Sequence, residues 1–263
     1  MRAIIVLCGA LVAAPGWTAP VQTKMPPAPT ADELIARHIE ARGGAERLKS
    51  IQSLRREGRL LVAFGDQIIE LHLVDLQARP GRRRVEATLQ GLTDVQAYDG
   101  KEAWQIDPFQ GRKDPERLAP DEVKTLVLGA DLDTPLVDYR AKGHSVEYLG
   151  LEDVEGSPAH KLRVALKSGD EITYFIDPDS MMVIRAIEKQ LVRGTEKEVE
   201  TDFGEYERVN GVWEPMSEES GAKGSSANEK ERSLFEKAEA NVPLNDAVFA
   251  FPVAAQATKE SAK

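Results

Sequence analysis

The stretch HKLRVALKSGDEITYFIDPDS, His160 to Ser180, decides the fold. Leu162, Val164 and Leu166 alternate with Lys161, Arg163 and Lys167, the pair Gly169-Asp170 intervenes, and Ile172, Tyr174 and Ile176 resume beyond it. Asp177-Pro178-Asp179 then stops the run. Period-2 alternation broken by Gly/Asp pairs is the pattern of an antiparallel hairpin, with one face apolar and the other wet.

The same rhythm extends in both directions. Leu60, Val62 and Phe64 share a face in an earlier strand, and Val85, Ala87 and Leu89 alternate with Arg84, Glu86 and Thr88. Turn signals recur at Gly65-Asp66, Arg79-Pro80-Gly81, Gly91, Asp99-Gly100, Glu155-Gly156, Arg193-Gly194, Asn210-Gly211 and Gly221. This spacing predicts an antiparallel meander of about ten strands. Within it, AYDGKEAWQIDPFQG, Ala97 to Gly111, reads as a hairpin turning at Asp99-Gly100. Alternation puts Trp104 and Ile106 on one face and Gln105 and Asp107 on the other, while Phe109 marks where the chain leaves the sheet.

Helical spacing is confined to short segments. Thr30 is placed to cap a helix with Glu33 completing a capping box; Leu34, Ile35 and Ile39 repeat at helical intervals, and Gly43-Gly44 stops it. A second helix is expected over Ala45 to Ile51. Pro120-Asp121-Glu122 opens a third, whose stripe of Val123, Leu126, Val127 and Ala130 runs to Asp131-Leu132-Asp133-Thr134-Pro135. A lone amphipathic helix inside a run of strands is expected to bury that stripe on the apolar sheet face. Asn228 to Ala240 suits a strand by alternation and a helix by charge pattern, and Leu244, Val248, Phe249 and Phe251 suit a plug for an open edge.

Composition narrows the class. Met1-Arg2 precedes about a dozen mostly apolar residues and then small ones, the build of a secretory signal peptide too short for a permanent span. The expected layout is a signal peptide over 1–19, a proline-rich leader over 20–29, one domain over 30–253 and a polar tail over 254–263. A periplasmic location follows as an expectation. The only cysteine, Cys8, lies in the signal, so disulfides and thiol chemistry are not expected afterwards. The net charge of −10 argues against nucleic acid as a partner. After the signal no apolar run approaches ~18 residues, so no membrane span is expected.

Chemistry-bearing patterns are sparse. No Gly-x-Ser-x-Gly frame surrounds Ser157 or Ser225, and His38, His72, His144 and His160 lack metal-ligand spacing. The carboxylate pairs Asp99/Asp107, Asp131/Asp133 and Asp177/Asp179 fall at turns and helix ends, where aspartate bonds the local backbone. No catalytic residue, metal or cofactor is expected.

The segments ADELIARHIEARGGAERLKSIQSL, AYDGKEAWQIDPFQG, DTPLVDYRAKGHSVEYLGLEDVEGSPAHKLRV, ITYFIDPDS and NVPLNDAVFAFP, taken in order, resemble the outer-membrane lipoprotein-sorting proteins related to the periplasmic lipoprotein carrier LolA. The resemblance covers the chain from about Ala31 to Pro252. It is closer to the branch whose cargo is unassigned than to the carrier, and the arginine that latches the carrier's lid finds no matching position among Arg55, Arg56 and Arg59. It implies a mainly β fold, an incomplete, curved antiparallel barrel whose concave side is lidded by helices and holds acyl chains. The expected lining from the strands is Leu60, Val62, Phe64, Val85, Leu89, Trp104 and Ile106, with Leu162, Val164, Leu166, Ile172, Tyr174 and Ile176 from the later hairpin. Val123, Leu126 and Val127 are expected from the lid. The expected partners are acyl chains or a lipoprotein's lipid moiety and a membrane-bound donor or acceptor protein, with the chain itself a monomer. The competing expectation is a non-enzymatic envelope interaction or stress-sensing module without bound lipid.

Overall fold

The computed structural model describes residues 28–252 apart from Asp66 and Arg193. The expected signal segment, the leader through residue 27 and the polar tail lie outside the described residues.

Helix α1 (Ala31–Arg42) starts as its sequence dictates: Thr30 Oγ1 accepts from the Glu33 N–H, and the Glu33 carboxylate accepts from the Thr30 N–H at 2.8 Å. Gly43 ends it at a φ of 134°, beyond the reach of most side chains. A second helix, α2 (Ala45–Ser50), follows at once.

Among the described residues, thirteen strands then form one sheet. They are β1 (Ser53–Phe64), β2 (Gln67–Ala78), β3 (Arg82–Leu89), β4 (Leu92–Tyr98), β5 (Ala103–Asp107) and β6 (Arg112–Arg117), followed after a crossing segment by β7 (Ser145–Val154), β8 (Ser157–Ala165), β9 (Glu171–Ile176), β10 (Val183–Val192), β11 (Thr195–Val209), β12 (Val212–Ala222) and β13 (Glu231–Ala240). Their spatial order is β6-β5-β4-β3-β2-β1-β13-β12-β11-β10-β9-β8-β7. The chain therefore begins in the middle of the sheet, steps out to one edge, crosses over to the other edge and steps back. The antiparallel pairing of β1 with β13 joins the two meanders, and the curved sheet stays open between β6 and β7.

The sheet exceeds the expected strand number partly because β6 lies where the chain was expected to leave it. The ambiguous segment near 228–240 is mostly strand, since its pairing with β1 runs from Arg232 opposite Leu61 to Ala240 opposite Leu54. Long-range pairing overrides the local charge pattern there. At Gly58 this seam is tight: a Cβ would stand 2.0 Å from the Leu234 carbonyl oxygen, so only glycine fits at the register shift.

Each face is covered differently. On one, called the inner face, α1 and the segment around Leu136 and Tyr139 pack Leu34, Ile35 and Leu136 onto Leu162, Val164, Ile172 and Ile176. On the outer face, Val95, Ala97 and Trp104 form a small core with Ile106 and Phe251. The C-terminal segment closes this core: Phe249 is fully buried, and Trp104 Nε1 donates to its carbonyl at 2.9 Å.

Candidate functional site

Between the two covered ends of the inner face lies a cavity of about 640 Å³, within the ~300–1,000 Å³ range of small-molecule sites. Strand parity builds its floor. Leu60 faces Leu71 across β1 and β2, Leu73 faces Ala87 across β2 and β3, and all four point into the cavity. Ile172, Tyr174, Val183 and Ala186 of β9 and β10 line the other side, with Phe203 and Tyr206 of β11.

The crossing segment lies over this space. A 3-10 turn at Pro120–Glu122 leads into a five-residue helix, α3 (Lys124–Leu128). Val123 and Leu126 pack on Ala103, with Val85 and Tyr98 beside them. Toward β9 and β10, Lys124 Nζ meets Asp170 Oδ1 at 2.8 Å, and Thr125 Oγ1 donates to Glu188 Oε2 at 3.2 Å. Gln77 Nε2 donates to the Gly129 carbonyl. Farther along, Arg79 holds Asp133 with both guanidinium nitrogens, and Lys142 pairs with Asp131.

The floor is not uniformly apolar. Arg56, on the same face as Leu54 and Leu60, donates to Asp75 Oδ2 at 2.6 Å and to Glu218 Oε1 at 2.5 Å. Arg83 Nε reaches Asp75 Oδ1 at 3.0 Å. Burial works against ionising Asp75, yet Arg83 and Arg56 together outweigh it and hold the carboxyl below its usual range. The Arg56 guanidinium lies 4.0 Å above the Phe235 ring centre. Beneath the crossing segment, a Cβ on Gly129 would stand 1.9 Å from Arg83 Nη1, so the chain passes directly over this ion-paired group.

Two carboxyls on the lining titrate unusually. Burial, then Asp107 and Glu231, push Asp94 up to about 6. Burial also raises Glu188, partly relieved by bonds from Thr125 and Gln190. The remaining candidates serve local structure. Asp99 accepts from the Lys101 and Glu102 N–H groups, Asp107 from Gln110 and Asp177 from Ser180. Buried His38 is pushed down to about 4 by burial and then by Arg42, so its neutral ring donates from Nδ1 to the Met181 carbonyl at 2.7 Å. His160 Nδ1 bonds the Tyr148 hydroxyl at 3.0 Å.

Of the lining expected from sequence, the structure brings Leu60, Val85, Leu126, Ile172 and Tyr174 to the cavity. Leu162, Val164 and Ile176 are filled core beneath α1, with Leu166 packed beside them. Val123, on the crossing segment itself, is buried against Ala103, whereas Val127 is 37% exposed. Val62 and Leu89 are half-buried beyond the cavity, and Phe64 stands 74% exposed at the β1–β2 tip. Trp104 and Ile106 lie on the outer face. Pairing of Ala97 with Trp104 and Val95 with Ile106 groups these four together, and the C-terminal segment supplies the apolar cover. Sequence reasoning missed Arg56, Asp75, Arg83, Asp94, Glu188 and Glu218. Their signal was polar residues holding the apolar parity of their strands.

The sequence matches no protein-family model and no curated protein. Solved structures do share the architecture. A LolA superfamily protein from Nitrosomonas europaea superposes with a TM-score of 0.57 at 12% identity, over 85% of this chain and 98% of that one. A DUF1329 family protein from Desulfovibrio piger gives 0.54 at 14% identity, over 84% and 95%. An outer-membrane lipoprotein-sorting protein domain from Vibrio parahaemolyticus gives 0.54 at 10% identity, over 83% and 97%. With this strand order and these counterparts, the chain has a LolA-like fold.

Proposed function

We propose that the chain is an exported periplasmic binding protein that shelters an acyl chain in the inner-face cavity, in lipid transport or lipoprotein sorting. The observation that carries this reading is a cavity of about 640 Å³ with apolar walls on both halves of the sheet, beneath a segment attached largely by side-chain contacts. Apolar transfer would drive binding at ~0.8 kcal/mol per buried methylene, and displacement of the crossing segment would admit and release the chain. A membrane-bound donor or acceptor would take part in the hand-over. No described helix is long and apolar enough to cross a membrane.

The test is organic extraction of the purified protein followed by mass spectrometry, with a fluorescence titration using the neutral probe N-phenyl-1-naphthylamine. Co-purified lipid, or a saturable fluorescence gain, supports the proposal. Extracts without lipid and a flat titration overturn it and leave the envelope interaction module as the better reading.

A further inference from the structure

The hairpin of β1 and β2 reaches beyond both of its neighbours in the sheet. β1 stops pairing with β13 at Leu61, opposite Arg232, and β2 starts pairing with β3 at His72, opposite Thr88. Past those points the two strands, among the described residues, pair only with each other: Val62 with Ile69, Ala63 with Ile68 and Phe64 with Gln67. Three residue steps leave a two-stranded ribbon of about 10 Å standing clear of the sheet body.

Apolar side chains cover both faces of this ribbon. Alternation puts Val62, Phe64 and Ile69 on the face shared with Leu60 and Leu71, and Ala63 and Ile68 on the opposite face. Phe64 at 74% and Ile68 at 71% are the two most exposed large apolar side chains among the described residues, and they stand on opposite faces. Polar side chains resume at the base, where Arg59 bonds Glu236 at 2.8 Å and Glu70 at 3.3 Å. The neighbouring turns add to the patch: Leu92, which opens β4, and Phe109, which follows β5 at the same end of the sheet, are both exposed.

A groove on a protein covers one face of a ribbon, whereas a lipid surface surrounds it. We infer that the β1–β2 tip docks on a lipid bilayer, with Phe64 and Ile68 among the acyl chains just below the headgroups and the Arg59 ion pairs left in water. Exposed apolar groups rimmed by polar ones mark such contacts. The unpaired backbone groups along both ribbon edges limit the depth to the interface, ~5–10 Å, where water still reaches them. A net charge of −10 offers anionic lipid no attraction, so apolar transfer drives the contact. The face carrying Phe64, Val62 and Ile69 continues without a charge into Leu60 and Leu71 on the cavity wall, where Phe109 also stands. An apolar track thus leads from the bilayer to the cavity; the track rests on the acyl-chain reading above, whereas the docking does not.

The test is co-flotation of the purified protein with phosphatidylcholine vesicles, followed by titration of the bound fraction against lipid. Wild type is expected to float at low and at high salt. Phe64→Ser combined with Ile68→Ser should weaken binding roughly tenfold or more, while Leu151→Ser, at an exposed leucine toward the other end of the sheet on β7, should leave it unchanged. Circular dichroism checks that the variants are folded. Absence of flotation by wild type, or flotation unchanged in the folded double variant, overturns the docking. A wild-type dimer that the same two substitutions disperse, without flotation, overturns it in favour of self-association. N-phenyl-1-naphthylamine titrated into the same proteins reads the cavity separately: probe binding without flotation overturns the docking alone, and flotation without probe binding overturns the cavity reading and supports the docking.

Discussion

Replacing Asp75 by asparagine removes the carboxylate that two guanidinium groups share. Its side chain is 1% exposed and receives Arg56 Nη2 at 2.6 Å, Arg83 Nε at 3.0 Å and Arg83 Nη2 at 3.1 Å. Asparagine keeps one acceptor oxygen and turns a donor amide toward the other guanidinium contacts. Arg56 retains Glu218, but Arg83 loses its only paired carboxylate among the described residues. Breaking a buried pair by removing one partner costs about 3–5 kcal/mol. For a domain of this size that corresponds to a fall of roughly 6–20 °C in melting temperature. The assay is urea unfolding followed by circular dichroism, where the midpoint should fall with the slope unchanged. The folded-state pKa of Asp75 is depressed, so its contribution is present above the unfolded value of ~3.9 and fades as pH falls through the lower folded value. The gap between wild type and variant should therefore narrow in acid below about pH 4. Replacing Asp75 and Arg83 together by leucine removes one charge of each sign, keeps Arg56 with Glu218, and should destabilise less than the single change. A loss of under about 1 kcal/mol for Asp75→Asn at pH 7 would refute the reasoning, because it would place the carboxylate in an environment like a surface pair.

Asp94 titrates in the opposite sense. Its folded pKa is raised to about 6, so the stability linked to its protonation is complete below the unfolded value and lost as pH rises through 6; Asp94→Asn should stabilise the protein at pH 7.5 by about 1 kcal/mol after allowance for solvent screening, and not at pH 4, in paired urea melts. Gly58→Ala drives a methyl into the Leu234 carbonyl oxygen and Phe235 Cα, 2.0 and 2.7 Å away; a loss of about 1–3 kcal/mol is expected, with faster amide exchange along the β1–β13 seam. Phe249→Ala empties a fully buried site beside Trp104 and should cost about 3–5 kcal/mol while red-shifting tryptophan emission, and an unshifted spectrum would contradict the closure of the outer face by the C-terminal segment.

Much of the fold was legible because local rules were obeyed at the places that matter. Thr30 and Glu33 form the capping box their spacing announces, and Asn210 and Gly211 both take positive φ, 51° and 84°, in a tight hairpin turn that pairs Val209 with Val212. The alternation in His160–Ser180 holds for Leu162, Val164, Ile172, Tyr174 and Ile176, which share one core, whereas Phe175 on the opposite face is buried too. What alternation cannot give is which face will be enclosed. Trp104 and Ile106 share a face, as their spacing requires, but the cover over that face comes from Phe249 and Phe251, almost 150 residues later by loop-closure distance.

The charged floor was hidden for a related reason. Arg56 and Asp75 face each other across β1 and β2, and Arg83 reaches Asp75 from β3, so the group exists only once three strands are in register. Read singly, each is a polar residue interrupting an apolar face, and such interruptions usually mark a wet surface. Burial reverses their meaning: a neutralised ion-pair group can sit beneath an apolar ligand without repelling it.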